Sequence, residues 1–109
     1  MAFSELNAET MREDLGFQPG LSEKRMFGGI AFMLYGNMVC GVIGDGGMFR
    51  VGKDRETEAI ELGAQPLSFT GRKMGGMVEL DHGSFEDDGL RRSLVEMSLL
   101  NAASLPPKG

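Results

Sequence analysis

The sequence predicts an α+β domain, because strand-like runs cluster on either side of a short helical segment with no strict β-α-β alternation. Glycine-punctuated apolar runs fill Lys24 to Val51, a second pair of short runs lies at Leu67–Thr70 and Met77–Leu80, and residues 86–103 carry a helical apolar face. The expected order is α-β-β-β-α-β-β-α, a two-layer antiparallel sheet with helices on one face. With 109 residues, 41% of them hydrophobic and 25% charged, the chain has the composition of one ordinary globular domain spanning 1–109.

The first helix is read from Phe3, Leu6, Met11 and Leu15, with Ser4 or Asn7 as its cap. Gly16 and the Gln18-Pro19-Gly20 segment end it, since proline cannot continue a helix and glycine tolerates a left-handed exit. Lys24 to Tyr35 reads as one strand, Gly36-Asn37 as a hairpin turn, and Met38–Ile43 as the second strand. Asp45-Gly46-Gly47 then turns the chain into a third strand, Met48–Val51. Asp54 to Leu62 holds good helix formers between a capping Asp54 and a terminating Gly63, with Ala59, Ile60 and Leu62 as its apolar face. The two later strands are joined by a Gly71-Arg72-Lys73-Met74-Gly75-Gly76 loop, and an Asp81-His82-Gly83 turn follows them. The last helix runs from about Glu86 to Ala103, buries Leu90, Leu94, Val95, Met97, Leu99 and Leu100, and places Asp87 and Asp88 at the positive end of its dipole.

Charge narrows the classes of partner. The net charge of −5 opposes general nucleic-acid binding, whose affinity comes from neutralising phosphates. Yet the distribution is uneven: residues 24–53 carry Lys24, Arg25, Arg50 and Lys53 against Asp45 alone, while both terminal segments are acidic. Arg25, Arg50 and Lys53, joined by Arg72 and Lys73, are the candidate patch for an anion or a partner; the competing reading is a solvated or ion-paired surface. The longest apolar stretch, Ile30 to Tyr35, is too short to span a membrane. A single cysteine and the lack of a secretory leader pattern point to the cytoplasm. Nine methionines suggest either core filling or an adaptable contact surface.

The residues that carry chemistry are sparse. Cys40 lies mid-strand, where a thiol behaves as a small hydrophobe, and His82 sits in a polar turn, so a catalytic Cys-His pair is not expected. Two Cys and His residues in total do not make the common zinc set, and Asp81, Glu86, Asp87 and Asp88 read as a solvated turn and helix start. None of the glycine-rich segments opens a helix in the manner of a phosphate loop. The expectation is a non-enzyme without cofactor or metal.

Lys24-Arg25-Met26-Phe27-Gly28-Gly29-Ile30-Ala31-Phe32-Met33, then Gly36-Asn37-Met38 and Cys40-Gly41-Val42, resembles the N-terminal domain of the TfoX/Sxy family. Arg50-Val51-Gly52, Phe69-Thr70-Gly71-Arg72-Lys73-Met74 and the closing Ser104-Leu105-Pro106-Pro107-Lys108 are similar to its short single-domain members. The resemblance implies an α+β fold like that of type III secretion chaperones, a regulatory or protein-interaction role, and by analogy a homodimer. It supplies no catalytic residues. In the family block, Met26 and Phe27 are expected to alternate along the first strand, with Gly28 and Gly29 permitting a bulge or a close backbone contact. The alternative expectation is a small-anion or nucleotide-binding domain that uses the basic patch and the 71–76 loop.

Overall fold

The computed structural model describes residues 3–26, 28–69 and 72–107, with the backbone alone described at 68–69 and 72–74. Its elements are α1 (Glu5–Leu15), β1 (Leu21–Met26), β2 (Gly29–Leu34), β3 (Asn37–Ile43), β4 (Gly46–Arg50), a 3-10 turn at Lys53–Arg55, α2 (Glu56–Leu62), β5 (Gln65–Phe69), β6 (Arg72–Leu80), α3 (His82–Phe85) and α4 (Asp88–Ala103). The strands form one antiparallel sheet in the order β1-β2-β3-β4-β6-β5. The α+β class therefore holds, while the element order gains a strand and a short helix.

The extra strand comes from the family block. The run read as one strand reverses between Met26 and Gly29, which pair across β1 and β2. Gly28 adopts φ 74°, a left-handed conformation open to glycine at little cost. Gly29 opens β2 so close to β3 that a Cβ there would lie 2.3 Å from the Val42 carbonyl oxygen. The two glycines thus do different work, one turning the chain and the other admitting a neighbouring backbone. Phe27 lies outside the described residues.

The next turn also shifts. Leu34 pairs with Asn37, so Tyr35 and Gly36 form the loop, with φ 50° and 85°. Positive φ at both positions is the signature of the hairpin turn whose twist matches its strands. Tyr35 tolerates this with its ring laid against Gly20, where a Cβ would fall 2.4 Å from the ring. Asn37 is buried instead, and its Nδ2 donates to the Pro106 carbonyl oxygen at 2.8 Å, fastening the chain after α4 to this hairpin.

Alternation along the strands sends Ile30, Phe32, Leu34, Cys40, Val42, Phe49, Val51, Val78 and Leu80 to the face covered by the helices. A bulge between Phe32 and Met33 lets the consecutive residues Val39 and Cys40 both enter this core. Phe32 and Phe49 are fully buried, each contributing roughly 2–3 kcal/mol relative to exposure. On the opposite face Met48, Met77 and Leu67 form a smaller cluster against Met38 and Ile43. These methionines fill space between strands, as Met11 and Met97 do beneath the helices.

Ser4 caps α1 by accepting from the Asn7 N–H at 3.1 Å, and Gly16 (φ 63°) ends it. Ala8, Met11 and Leu15 face the core; Leu6 does not, being 80% exposed, because its position lies well round the helix from Met11. In α2 only Ala59 is buried, leaving Ile60 and Leu62 outward, contrary to the expected apolar face. The Asp81-His82-Gly83 turn continues into α3, because Asp81 caps it through the Ser84 N–H and Phe85 anchors it in the core. Asp87 then caps α4, whose Leu100 is exposed, contrary to expectation.

Candidate functional site

The basic residues are the place to begin, and the sheet separates them. Arg25 lies on β1 in the row Arg25–Ile30–Val42–Gly47–Leu80, while Arg50 lies three residues further along β4. Three strand spacings, about 14 Å, divide the two strands. Arg25 instead places its guanidinium 5.3 Å from the centre of the Phe3 ring, a cation–π contact at the edge of the core. Arg50 and Lys53 do come together.

Their meeting place is built by glycines. After Arg50, Gly52 (φ 92°) bends the chain into the 3-10 turn that begins with Lys53. A Cβ at Gly52 would meet Asn101 Oδ1 at 2.5 Å, so only glycine lets α4 approach here. The Gly52 N–H donates to the Gly76 carbonyl oxygen at 3.0 Å. On its other side the Gly76 N–H donates to Glu56 Oε1 at 2.8 Å. Asn101 Nδ2 donates to the Arg50 carbonyl oxygen across a long 3.4 Å. The result is a cleft of about 160 Å³ lined by Arg50, Gly52, Lys53, Gly75, Gly76, Asn101 and Leu105.

The 71–76 segment is not the expected loop. From Arg72 onward it is strand, with Arg72 opposite Phe69 and Lys73 opposite Ser68. Thr70 and Gly71 lie outside the described residues, as do the side chains of Arg72 and Lys73. Between the pairs Ser68–Lys73 and Pro66–Val78, four residues of β6 stand against the single residue Leu67. This wide bulge, with Gly76 at φ 80°, presses Gly75 and Gly76 against Gly52 and Lys53.

A larger hollow, about 660 Å³, lies between α1 and α4. Beneath it the Arg91 side chain, 4% exposed, pairs with Asp14, 5% exposed. Arg91 also donates to the Phe85 carbonyl oxygen at 2.8 Å and to Asp88 at 2.9 Å. Burial opposes its charge, but the hydrogen bonds it donates to Asp14 and Asp88 outweigh that and raise its pKa. These donors are spent on joining helices. Sequence reasoning missed the pair, although Arg91 falls on the same stripe as Leu94, Val95, Ser98 and Ala102.

The remaining reactive groups are engaged elsewhere. Cys40 is fully buried, and desolvation, reinforced by the negative charge of Asp14, pushes its thiol pKa up, away from a reactive thiolate. His82 is on the surface, 3.0 Å from Glu86, so it does not meet Cys40. Asp81 and Asp87 serve as helix caps, and hydrogen bonds from Ser84 lower the Asp81 pKa. Among the described residues no cluster of three metal-ligating side chains occurs, and no helix is long and apolar enough to cross a membrane.

At one pole of the sheet, the α1–β1 connection and the β2–β3 hairpin are joined by the Tyr35 N–H donating to the Gly20 carbonyl oxygen at 2.9 Å. Phe17, 89% exposed, and Tyr35, 51% exposed, are carried on these two turns. A family model described as the TfoX N-terminal domain matches residues 13–102. Comparison with curated proteins and with solved structures finds no match.

Proposed function

The chain belongs to the TfoX N-terminal domain family, and from that premise we propose that it is a non-catalytic regulatory or protein-interaction domain. The carrying observation is the exposed pair Phe17 and Tyr35 on turns held by a backbone hydrogen bond. Rigid aromatics bring large contact area at low entropic cost and dominate many interfaces. Tyr35 also holds φ 50°, an uncommon conformation for a bulky residue and one that accumulates at functional positions. The burial of Cys40 and the engagement of His82 with Glu86 support the non-catalytic part of the reading. The domain works in the cytoplasm, where a lone thiol stays reduced, and its partner is a protein or a second copy of itself.

Phe17→Ser provides the test, because Phe17 is nearly free of intramolecular packing. Wild type and variant are compared by light scattering over a concentration series and by co-purification from the native host with an unrelated bait of similar charge as control. The variant is expected to keep the wild-type melting curve and to lose self-association or the specific partner. A monomeric wild type that recovers only what the control bait recovers would overturn the reading.

A further inference from the structure

Beyond the interaction role, we infer that the cleft between β4, the Lys53–Arg55 turn, β6 and α4 binds a small dianionic oxyanion, the phosphoryl group of a phosphomonoester or inorganic phosphate. Arg50 and Lys53 both border it, the Lys53 side chain running along Gly75, and among the described residues neither has a carboxylate within ion-pair distance. That is notable in an acidic chain. The four α-helices carry nine acids against three bases, whereas the six strands carry five bases against Glu23 and Glu79. Positive charge is thus concentrated in the layer that holds the cleft.

The shape limits the ligand. At about 160 Å³ the cleft is smaller than the ~300–1,000 Å³ typical of sites for whole drug-sized molecules. It accommodates a tetrahedral oxyanion with its remaining water, and a larger molecule would have to leave its body outside. Gly75 offers bare, exposed backbone, and the Lys53 side chain already lies across it, its Cε 3.3 Å from where a Cβ would stand. An ammonium held over exposed backbone, with a basic residue on the adjoining strand, supplies charge that phosphoryl oxygens seek. The Asn101 carboxamide, whose present hydrogen bond is long, adds a polar group that can turn toward the anion.

Backbone amide resonances of the whole chain are followed while sodium phosphate is added at constant ionic strength, with sodium chloride as the control and glycerol phosphate as the phosphomonoester arm. Saturable shifts are expected at residues 50–53, 75–76 and 101. The double variant Arg50→Gln/Lys53→Gln weakens binding by roughly tenfold or more, the loss of charged hydrogen bonds. Tighter binding of glycerol phosphate assigns the ligand as a phosphomonoester; tighter binding of phosphate assigns the free ion. Shifts that do not saturate, that spread equally to Lys24 and Arg25, or that persist unchanged in the double variant would overturn the site, whatever the outcome at Phe17.

Discussion

Single glycines set the spacing of this sheet. At Gly29 the backbone conformation is ordinary but the space is absent, so Gly29→Ala drives a methyl into the Val42 carbonyl oxygen. The expected cost is about 2 kcal/mol or more, by analogy with overpacked cores, read as a lower urea midpoint with an unchanged slope. Gly83→Ala, where the nearest atom would be 3.8 Å away, is the matched control and should cost far less. Charge at single residues gives a second expectation. Arg12 donates to Glu23 at 2.7 and 2.9 Å, and these hydrogen bonds hold the Glu23 carboxyl below its usual pKa. The resulting stability is fully present above the unfolded carboxyl value, about 4.3, and is lost as pH falls through the lowered folded value. Glu23→Gln should therefore cost less than about 1 kcal/mol at neutral pH, because the pair is partly solvated. Urea melts across the acid range should show a flatter dependence in the variant.

Among elements, the join between α1 and α4 depends on a charge. Replacing Arg91 by Ala leaves Asp14 buried without its main partner and frees the Phe85 carbonyl, for an expected loss of about 3–5 kcal/mol. Arg91→Met, which keeps much of the volume, should lose less only if Asp14→Asn accompanies it; denaturant melts of the four combinations form the check. The elements were unequally legible in the sequence. Caps and stops such as Ser4, Gly16 and Gly63 act locally, and their chemistry identifies them from neighbouring residues alone, whereas Asp54 lies in the 3-10 turn instead of capping α2, and Asp87, expected in the first turn of α4, is its cap. The reversal at Gly28 was hidden because an unbroken apolar run fits one long strand as well as two short ones, and only pairing with β3 distinguishes them. The same limit misplaced the glycines of residues 71–76: Gly75 and Gly76 widen a strand instead of ending it, a consequence of what packs beside them.

In the whole molecule, the helices carry nine acids against three bases and the strands five bases against two acids, an arrangement that segment charges foreshadowed. Convergence in space was not foreshadowed. Five basic residues formed one patch on paper, yet Arg50 and Lys53 share a cleft while Arg25 lies across the sheet on Phe3. Sequence distance placed Arg25 and Arg50 in the same basic segment, but antiparallel strand order set them three strands apart. The buried Arg91–Asp14 pair was similarly invisible, since its partners are 77 residues apart.

Tyr35 carries an optical consequence. It is the chain's only tyrosine, and there is no tryptophan, so near-ultraviolet emission arises almost wholly from one ring lying against Gly20. Intrinsic fluorescence of the unlabelled protein therefore reports on a single junction between two turns. Quenching by iodide or acrylamide would follow access to that junction directly, without any dye attached.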